Sequence, residues 1–254
     1  MKSVWEIAEE IARLGTLEEI EKCGYGADAR KGVVNAIEKQ KRRIAKEQKL
    51  LDKYEKMSSY EQNLKPGCRY IAGVDEAGRG PIAGEVVAAA VILPDGFLLP
   101  GLDDSKKLSL EKREAFREII MREADYGIGI ASVEEIDKLN IYEASKLAMR
   151  RAVDNLNLTP GHLLVDAMTI DMGIDETPII KGDANSVSIA AASVIAKTTR
   201  DMMMKDYDAQ YPGYHFSNHK GYGTREHLAG LEKYGVLPVH RKTFEPVKSL
   251  ILKQ

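Results

Sequence analysis

Apolar and polar positions alternate differently in the first quarter of the chain and in the rest. Ser3-Val4-Trp5-Glu6 is a capping box, and it opens a helix with Ile7, Ala8, Ile11 and Leu14 on one face and Gly15 as its stop. Thr16 to Glu19 repeats the signal, and Gly24 ends that second helix. Asp28 is expected to cap a third, longer helix in which Ile37, Ile44 and Leu51 recur every seven residues. Ser58 to Gly67, with Pro66, reads as a linker. Residues 1–65 are thus expected to form a helical extension, and residues 66–254 the main domain.

Beyond the linker the pattern shifts to short apolar runs. Tyr70 to Val74 has strand character, and Val86 to Leu93 suits a strand buried on both faces. After a loop over 94–107, Ser109 caps a helix running to about Ala124. Tyr126 to Ala131 is a third strand. Helical pattern returns near Val133 and again from Ile141 to about Asn155, with Asn140 as cap and Pro160-Gly161 as the break. Leu163 to Val165 is a fourth strand ending in Asp166, and Pro178 to Ile180 a fifth leading into Lys181-Gly182-Asp183. A long helix follows from Ser186 to about Tyr207, and its small-residue run Ala190 to Ser193 allows close packing. Three strands in meander and then alternating helices and strands predict an α/β fold with a mixed sheet. Sites in such sheets form beyond the carboxyl ends of parallel strands. If the first and fourth strands are parallel neighbours, Asp75 and Asp166 converge.

Composition changes this picture little. The 254 residues are 44% hydrophobic, enough for one substantial core and an appendage. A net charge of −2 gives no bulk hint of nucleic acid, so any phosphate binding must come from local patches. The two cysteines, Cys23 and Cys68, form no CxxC pair and suit a reducing interior. The acidic amino-terminal stretch does not read as a targeting peptide, and no uncharged run approaches the roughly 18 residues that span a bilayer. A cytoplasmic protein acting without a membrane is expected.

The chemistry gathers at Tyr70 to Val91, YIAGVDEAGRGPIAGEVVAAAV. Asp75 and Glu76 end a buried strand beside the turn Gly78-Arg79-Gly80-Pro81. An acidic pair before a glycine is most often a surface turn. The spacing of Gly78, Gly80 and Gly84 does not fit a dinucleotide loop, and a strand follows rather than a helix. Asp166 and Asp183 tip the balance toward function by arriving at matching strand ends. Two carboxylates about 4 Å apart repel by roughly 4 kcal/mol at an effective dielectric of 20. Several together either raise a pKa or hold a cation, and the all-oxygen set favours Mg²⁺ or Mn²⁺. Such a site suits in-line attack of water on a phosphodiester. His215 and His219 lie among turn formers and read as loop hydrogen-bonders rather than zinc ligands. No GxSxG elbow supports serine hydrolysis. Arg79, Lys106, Lys107 and Lys181 flank the sheet edge, and Ser186 at a helix start is a candidate phosphate contact. Tyr222, set between Gly221 and Gly223, is expected to present its ring to a sugar or base. The stripe of Lys39, Lys41, Arg42, Arg43, Lys46 and Lys49 is either a solvated helix face or a phosphate-contacting arm.

Together the segments GVDEAGRGPIAGEVVAAAVIL, DDSKKL, LLVDAM, KGDANSVSIAAASVIAKTTRD and KGYGTREH resemble the type 2 ribonuclease H family, in its bacterial HII form. They span roughly Tyr70 to Phe244. The resemblance implies an RNase H-like mixed five-stranded sheet flanked by helices, with a small C-terminal helical part. It implies four catalytic, metal-binding acids at Asp75, Glu76, Asp166 and Asp183, with Mg²⁺ or Mn²⁺ as cofactor. A ribose-sensing turn falls on Gly78, Arg79 and Gly80, a junction-reading tyrosine on Tyr222, and phosphate contacts on Lys106 and Ser186. The implied reaction cleaves RNA in RNA–DNA hybrids and at single ribonucleotides in duplex DNA, 5′ to the ribonucleotide, leaving a 3′-hydroxyl and a 5′-phosphate. The enzyme is expected to act as a monomer. Ala167-Met168 stands where many members carry Gly-Asn. Residues 1–65 lie outside the family's usual pattern. A DNA-cutting nuclease or integrase of the same fold and a non-catalytic hybrid-binding module are the alternatives. The ribose turn argues against the first, and the full acid set against the second.

Overall fold

The computed structural model describes residues 2–252. By contact the chain divides into two compact units, Met1–Lys56 and Met57–Gln254.

The first unit is helical. Helices α1 (Val4–Ala12) and α2 (Leu17–Lys22) both open with the expected capping boxes, Ser3 with Glu6 and Thr16 with Glu19. Helix α3 (Lys31–Met57) carries the heptad stripe and runs to the end of the unit. Asp28 does not cap it directly: it lies three residues upstream and accepts the Arg30 N–H and guanidinium. Ile7, Ile11 and Val33 form a small buried core, and buried Gln40 donates to the Leu14 carbonyl. Lys39, Arg42, Arg43, Lys46 and Lys49 are exposed.

The stretch expected to be a linker contains a helix, α4 (Ser59–Leu64). Its Glu61 is buried, and one oxygen accepts the Ser186 hydroxyl at 2.6 Å, the Ser188 hydroxyl at 2.6 Å and the Ser188 N–H at 3.0 Å. A polar stretch therefore orders because its carboxylate satisfies three donors elsewhere in the unit. Glu61→Ala strands those donors and is expected to lower stability by about 2–3 kcal/mol in urea unfolding. Glu61→Gln, which keeps an acceptor, costs less, and equal losses would rule out this account.

The sheet follows: β1 (Ile71–Ala77), β2 (Val86–Ile92), α5 (Leu110–Glu123), β3 (Asp125–Ala131), α6 (Val133–Leu139), α7 (Ile141–Asp154), β4 (His162–Asp166) and β5 (Asp175–Ile179). Then come α8 (Gly182–Asn185), α9 (Val187–Gln210), α10 (Phe216–His219), α11 (Arg225–Tyr234) and α12 (Val247–Ile251). Strand order is β3-β2-β1-β4-β5. The meander pairs antiparallel, while β1, β4 and β5 are parallel. This is the mixed five-stranded sheet that the pattern predicts.

Alternation sorts the faces. Ala72 and Val74 of β1 pack into the large core with Met149 and Val153 of α7, while Ile71 meets Ile189 of α9 on the other face. Gly73 lies beneath the start of α9, where a Cβ would come within 2.1 Å of the Ser188 backbone. Only glycine allows that approach. Interior strand β2 is buried throughout, as its unbroken apolar run requires. Strand β5 begins at Asp175, earlier than its apolar residues suggest, because an edge strand tolerates polar side chains and Pro178. On the opposite edge, the β3 carbonyls of Ile128 and Ile130 accept Asn155 Nδ2 at 2.8 Å and Arg151 Nη1 at 2.7 Å. The C-terminal helices form a second core around Tyr214, Phe216, Leu231 and Val247, which reaches Ile82 and Ala83 in the turn between β1 and β2. Among the described residues no helix is long and apolar enough to cross a membrane.

Candidate active site

Parallel pairing of β1 and β4 sets Val74 opposite Val165, so Asp75 and Asp166 occupy adjacent positions at the carboxyl end of the sheet. Asp75 and Glu76 lie within β1 rather than after it, paired with Ala89 and Ala88. Asp183 sits in the one-turn helix α8. The Gly182 N–H donates to Asp166 Oδ1 at 2.6 Å and so ties α8 to the end of β4. Three elements, β1, β4 and α8, place the four acids, and the sheet brings their ends together.

Charge repulsion and burial mark this region. Burial, then Glu76 and Asp166, push the Asp75 carboxyl well above its usual range. Burial also raises Glu76 against the pull of Arg79, which stands 3.4 Å away. Asp166 is raised by burial, opposed by the Gly182 N–H and by Lys106. Asp183 is pushed up to about 6 by burial, Asp104 and Asp166. Burial works to lower Lys106, but Asp104, Asp75 and Asp183 outweigh it and raise the amine. The acids therefore form a group of mutually repelling carboxylates in which Asp166 acts on Asp75, Glu76 and Asp183. They do not form a closed cage: among the described residues, no three His, Cys, Asp or Glu side chains stand gathered around one point.

The residues nevertheless fit a divalent cation. Every donor is a hard oxygen, and burial penalises each charge unless a counter-ion is present. Glu76 Oε2 is buried and lacks a hydrogen-bond partner. A buried carboxylate oxygen with no hydrogen-bond partner, on a group that Asp166 repels, suits a positive ligand.

Beside the acids lies a cleft of about 470 Å³. It is lined by Asp75, Glu76, the turn Gly78-Arg79-Gly80, Lys106 and Tyr222 among the residues singled out in the sequence. Asp166 and Asp183 do not line it. Gly78 has a φ of +99°, a conformation that glycine adopts freely. Tyr222 is 47% exposed, although its backbone is pinned: its carbonyl accepts from Thr224 N–H at 2.8 Å and His227 Nδ1 at 2.9 Å.

Ser186 is the exception. It is fully buried, it caps α9 through the Ile189 N–H, and its hydroxyl donates to Glu61. A phosphate cannot reach it. The helix start uses the serine oxygen as its cap, and the buried carboxylate on α4 accepts the hydroxyl's hydrogen bond.

Several cleft residues escape sequence reasoning. Ser193, Lys197 and Arg200 recur along one face of α9 at i, i+4 and i+7, and all three line the cleft with Ser105 and Arg113. Ser105 and Ser193 share a hydrogen bond of 2.9 Å, and Ser193 also bonds the Asp75 carboxylate. The signal was a polar stripe on an otherwise apolar buried helix. Asp104, which couples to Asp183, lay inside the DDSKKL segment.

Ala167, next to Asp166, has a φ of +53°. This left-handed conformation disfavours a Cβ, which explains why glycine suits that position. Ala167→Gly is expected to stabilise the fold by about 0.5–1 kcal/mol, read from urea midpoints.

The sequence profile described as Ribonuclease HII matches residues 72–247, and the profile described as Ribonuclease HII N-terminal domain matches residues 3–65. The chain belongs to the ribonuclease HII family. It is 50% identical over 254 residues to a ribonuclease HII of Staphylococcus saprophyticus, covering 98% of this chain and 99% of that one. It is 51% identical over 251 residues to a ribonuclease HII of Bacillus cytotoxicus, covering 98% and 97%. Among solved structures it is similar to ribonuclease H2 from Pyrococcus horikoshii, with a TM-score of 0.62, 24% identity, and coverage of 72% of this chain and 98% of that one. As a ribonuclease HII, it is a nuclease and hydrolase with ribonuclease H activity on the RNA strand of RNA–DNA hybrids. Enzymes of the family depend on metal. The extension, which fell outside the expected family pattern, has a family profile of its own.

Under the Tyr222 loop lies a chain of buried histidines. His219 stacks on His227 at 4.3 Å between ring centroids, and His227 Nε2 meets His240 Nε2 at 3.0 Å. Burial pushes both His227 and His240 down to about 4. Their unfolded value is near 6.5, so the unfolded chain binds more protons between about pH 6.5 and 4. Stability present above pH 6.5 is therefore lost as pH falls through that window, on the order of 3 kcal/mol for each histidine. Urea midpoints from pH 7.5 to 4.5 are expected to fall more steeply in the wild type than in His240→Gln. Equal slopes would show that the histidines are not the source.

Proposed function

We propose that this ribonuclease HII cleaves endonucleolytically on the 5′ side of a ribonucleotide, both within RNA–DNA hybrid and at a single ribonucleotide embedded in duplex DNA. The products carry a 3′-hydroxyl and a 5′-phosphate. The observation that supports this reading most is one cleft lined together by the acids Asp75 and Glu76, the glycine-rich turn and the exposed Tyr222.

Asp75, Glu76, Asp166 and Asp183 would hold Mg²⁺ or Mn²⁺. The bound ions supply an activated water and neutralise charge on the departing oxygen. The chain's own residues do the rest. Arg79 and Lys106 hold the phosphate backbone at the cleft mouth. The turn at Gly78 to Gly80 reads the 2′-hydroxyl through backbone groups, because a hydroxyl both donates and accepts while deoxyribose offers neither. Tyr222 stacks on a sugar or base at the junction. Ser186 leaves the set of substrate contacts and serves to brace α9.

The test is a cleavage assay on duplex DNA carrying one ribonucleotide, with and without Mg²⁺ or Mn²⁺. A single metal-dependent cut 5′ to the ribonucleotide is expected. A cut in all-DNA duplex, or none in either, would overturn the assignment.

The exposed basic stripe on α3 is a candidate for additional phosphate contacts. Replacing Lys39, Arg42, Arg43 and Lys46 with glutamine is expected to weaken substrate binding at low salt without moving the cut. The slope of log K against log salt should shrink by roughly 0.9 for each phosphate that is no longer neutralised. An unchanged slope would leave the stripe a solvated face.

A further inference from the structure

The turn between β1 and β2 is held from behind by a residue that does not line the cleft. Arg241 is fully buried, and its guanidinium donates to backbone carbonyls of residues 78–85. Nε reaches Gly84 at 2.8 Å. Nη1 reaches Pro81 at 2.7 Å and Arg79 at 2.9 Å. Nη2 reaches Gly78 at 2.5 Å and Glu85 at 3.3 Å. The Arg241 N–H donates in turn to the Ile82 carbonyl at 2.9 Å. The whole turn is wrapped around one planar fork of donors, an arrangement that lysine, with its single ammonium, cannot copy.

The direction of those carbonyls has a consequence on the far side. In a trans peptide the C=O and the following N–H point opposite ways. The peptides after Gly78 and Arg79 are trans, and their carbonyls point inward at Arg241. The N–H groups of Arg79 and Gly80 therefore point outward, and these residues line the cleft. From the other side Arg200 grips Ala83 and Glu85 at 3.0 Å each and Lys220 at 2.9 Å. The Ile82 N–H donates to Gly221 at 2.9 Å. Arg200 thus anchors the base of the turn beside the Tyr222 loop, and Arg241 sets its apex at Gly78 to Pro81.

We propose that Arg241 is a positioning residue for sugar discrimination: by drawing the Gly78 and Arg79 carbonyls inward, it aims the N–H groups of Arg79 and Gly80 at the 2′-oxygen of a ribose. The inference rests on the ribonuclease reading above, which assigns the turn to the sugar. It adds the device that orients the turn and extends the functional unit to the C-terminal segment. An acceptor oxygen at the 2′ position meets two aligned donors, and a 2′-deoxy sugar leaves them facing water.

The test uses the full chain and two duplexes of identical sequence, one with a single ribonucleotide and one all DNA. Affinities are measured without divalent metal, so that no cleavage occurs, and kcat and KM are then measured with Mg²⁺ on the ribonucleotide duplex. Arg241→Lys is expected to lower the ratio of ribonucleotide to all-DNA affinity roughly tenfold, the scale of one or two hydrogen bonds. Affinity for all-DNA duplex should hold steady, and the loss of activity should fall mainly on kcat. A merely structural defect would instead weaken both duplexes alike. An unchanged ratio in a folded Arg241→Lys overturns the inference while the wild type still cleaves. If the wild type itself fails to cleave the ribonucleotide duplex, the ribonuclease reading fails and this inference with it. If Arg241→Lys does not fold, amide resonances decide in the wild type. The Arg79 and Gly80 N–H signals should move on adding the ribonucleotide duplex and stay in place with the all-DNA duplex, and identical movement with both would overturn the proposal.

Discussion

Asp75→Asn is expected to leave a folded protein that cleaves a ribonucleotide-containing duplex at least about a thousandfold more slowly, the scale of losing a preorganised charge at a reacting centre. The same substitution should raise stability in the absence of metal. Asp75 is buried among Glu76 and Asp166, and its carboxyl is held well above the usual range. The folded state therefore binds a proton more tightly than the unfolded chain. The stability linked to that proton is complete below the unfolded value and is lost as pH rises through the folded one. At neutral pH without metal, a carboxyl held at this position thus works against folding whichever form it takes, and an uncharged asparagine removes the penalty. Urea midpoints at pH 7.5 in a chelator should be higher for the variant. Added Mg²⁺ should raise the wild type more than the variant. A wild type indifferent to Mg²⁺, or a variant with full activity, would refute the role given to Asp75.

Tyr222→Ala is expected to be the second largest loss, and a selective one. The ring is half exposed and stands against Gly80, whose added Cβ would lie 3.3 Å from Tyr222 Cε1. Losing one stacking platform is worth about 1–3 kcal/mol, or roughly 5- to 150-fold. The loss should fall on cleavage at a single embedded ribonucleotide. Within long RNA–DNA hybrid, neighbouring ribonucleotides offer many registers, and the effect should be much smaller. Stability should be unchanged, because the loop backbone is fixed by His227 and Thr224 rather than by the ring. Equal kcat/KM losses on both substrates would remove the junction-reading role.

Much of this was legible in the sequence, for physical reasons that differ from element to element. Strand β2 announced itself because an interior strand must be apolar on both faces. The capping boxes at Ser3 and Thr16 announced helix starts because few other contexts need that spacing. Asp75 and Asp166 could be paired in advance because the carboxyl ends of parallel strands share one edge. Helix α4 stayed hidden: what orders it is Glu61 bonding serines far along the chain, and no local pattern encodes that. Ser186 was misplaced for the same reason, its hydroxyl being taken by a distant carboxylate. Strand β5 was cut short because an edge strand does not need apolar side chains. The cleft face of α9 went unread because Lys197 and Arg200 look like ordinary helix residues until their burial is known.

The rim of the sheet has one more consequence. On outermost strand β3, the oxygens of Ile128 and Ile130 are already engaged by Asn155 and Arg151, and on β5 a proline interrupts the donor row. A sheet blunted in this way resists zippering onto a second chain. Enzyme molecules crowded along one stretch of nucleic acid can therefore sit shoulder to shoulder without fusing into a continuous ribbon.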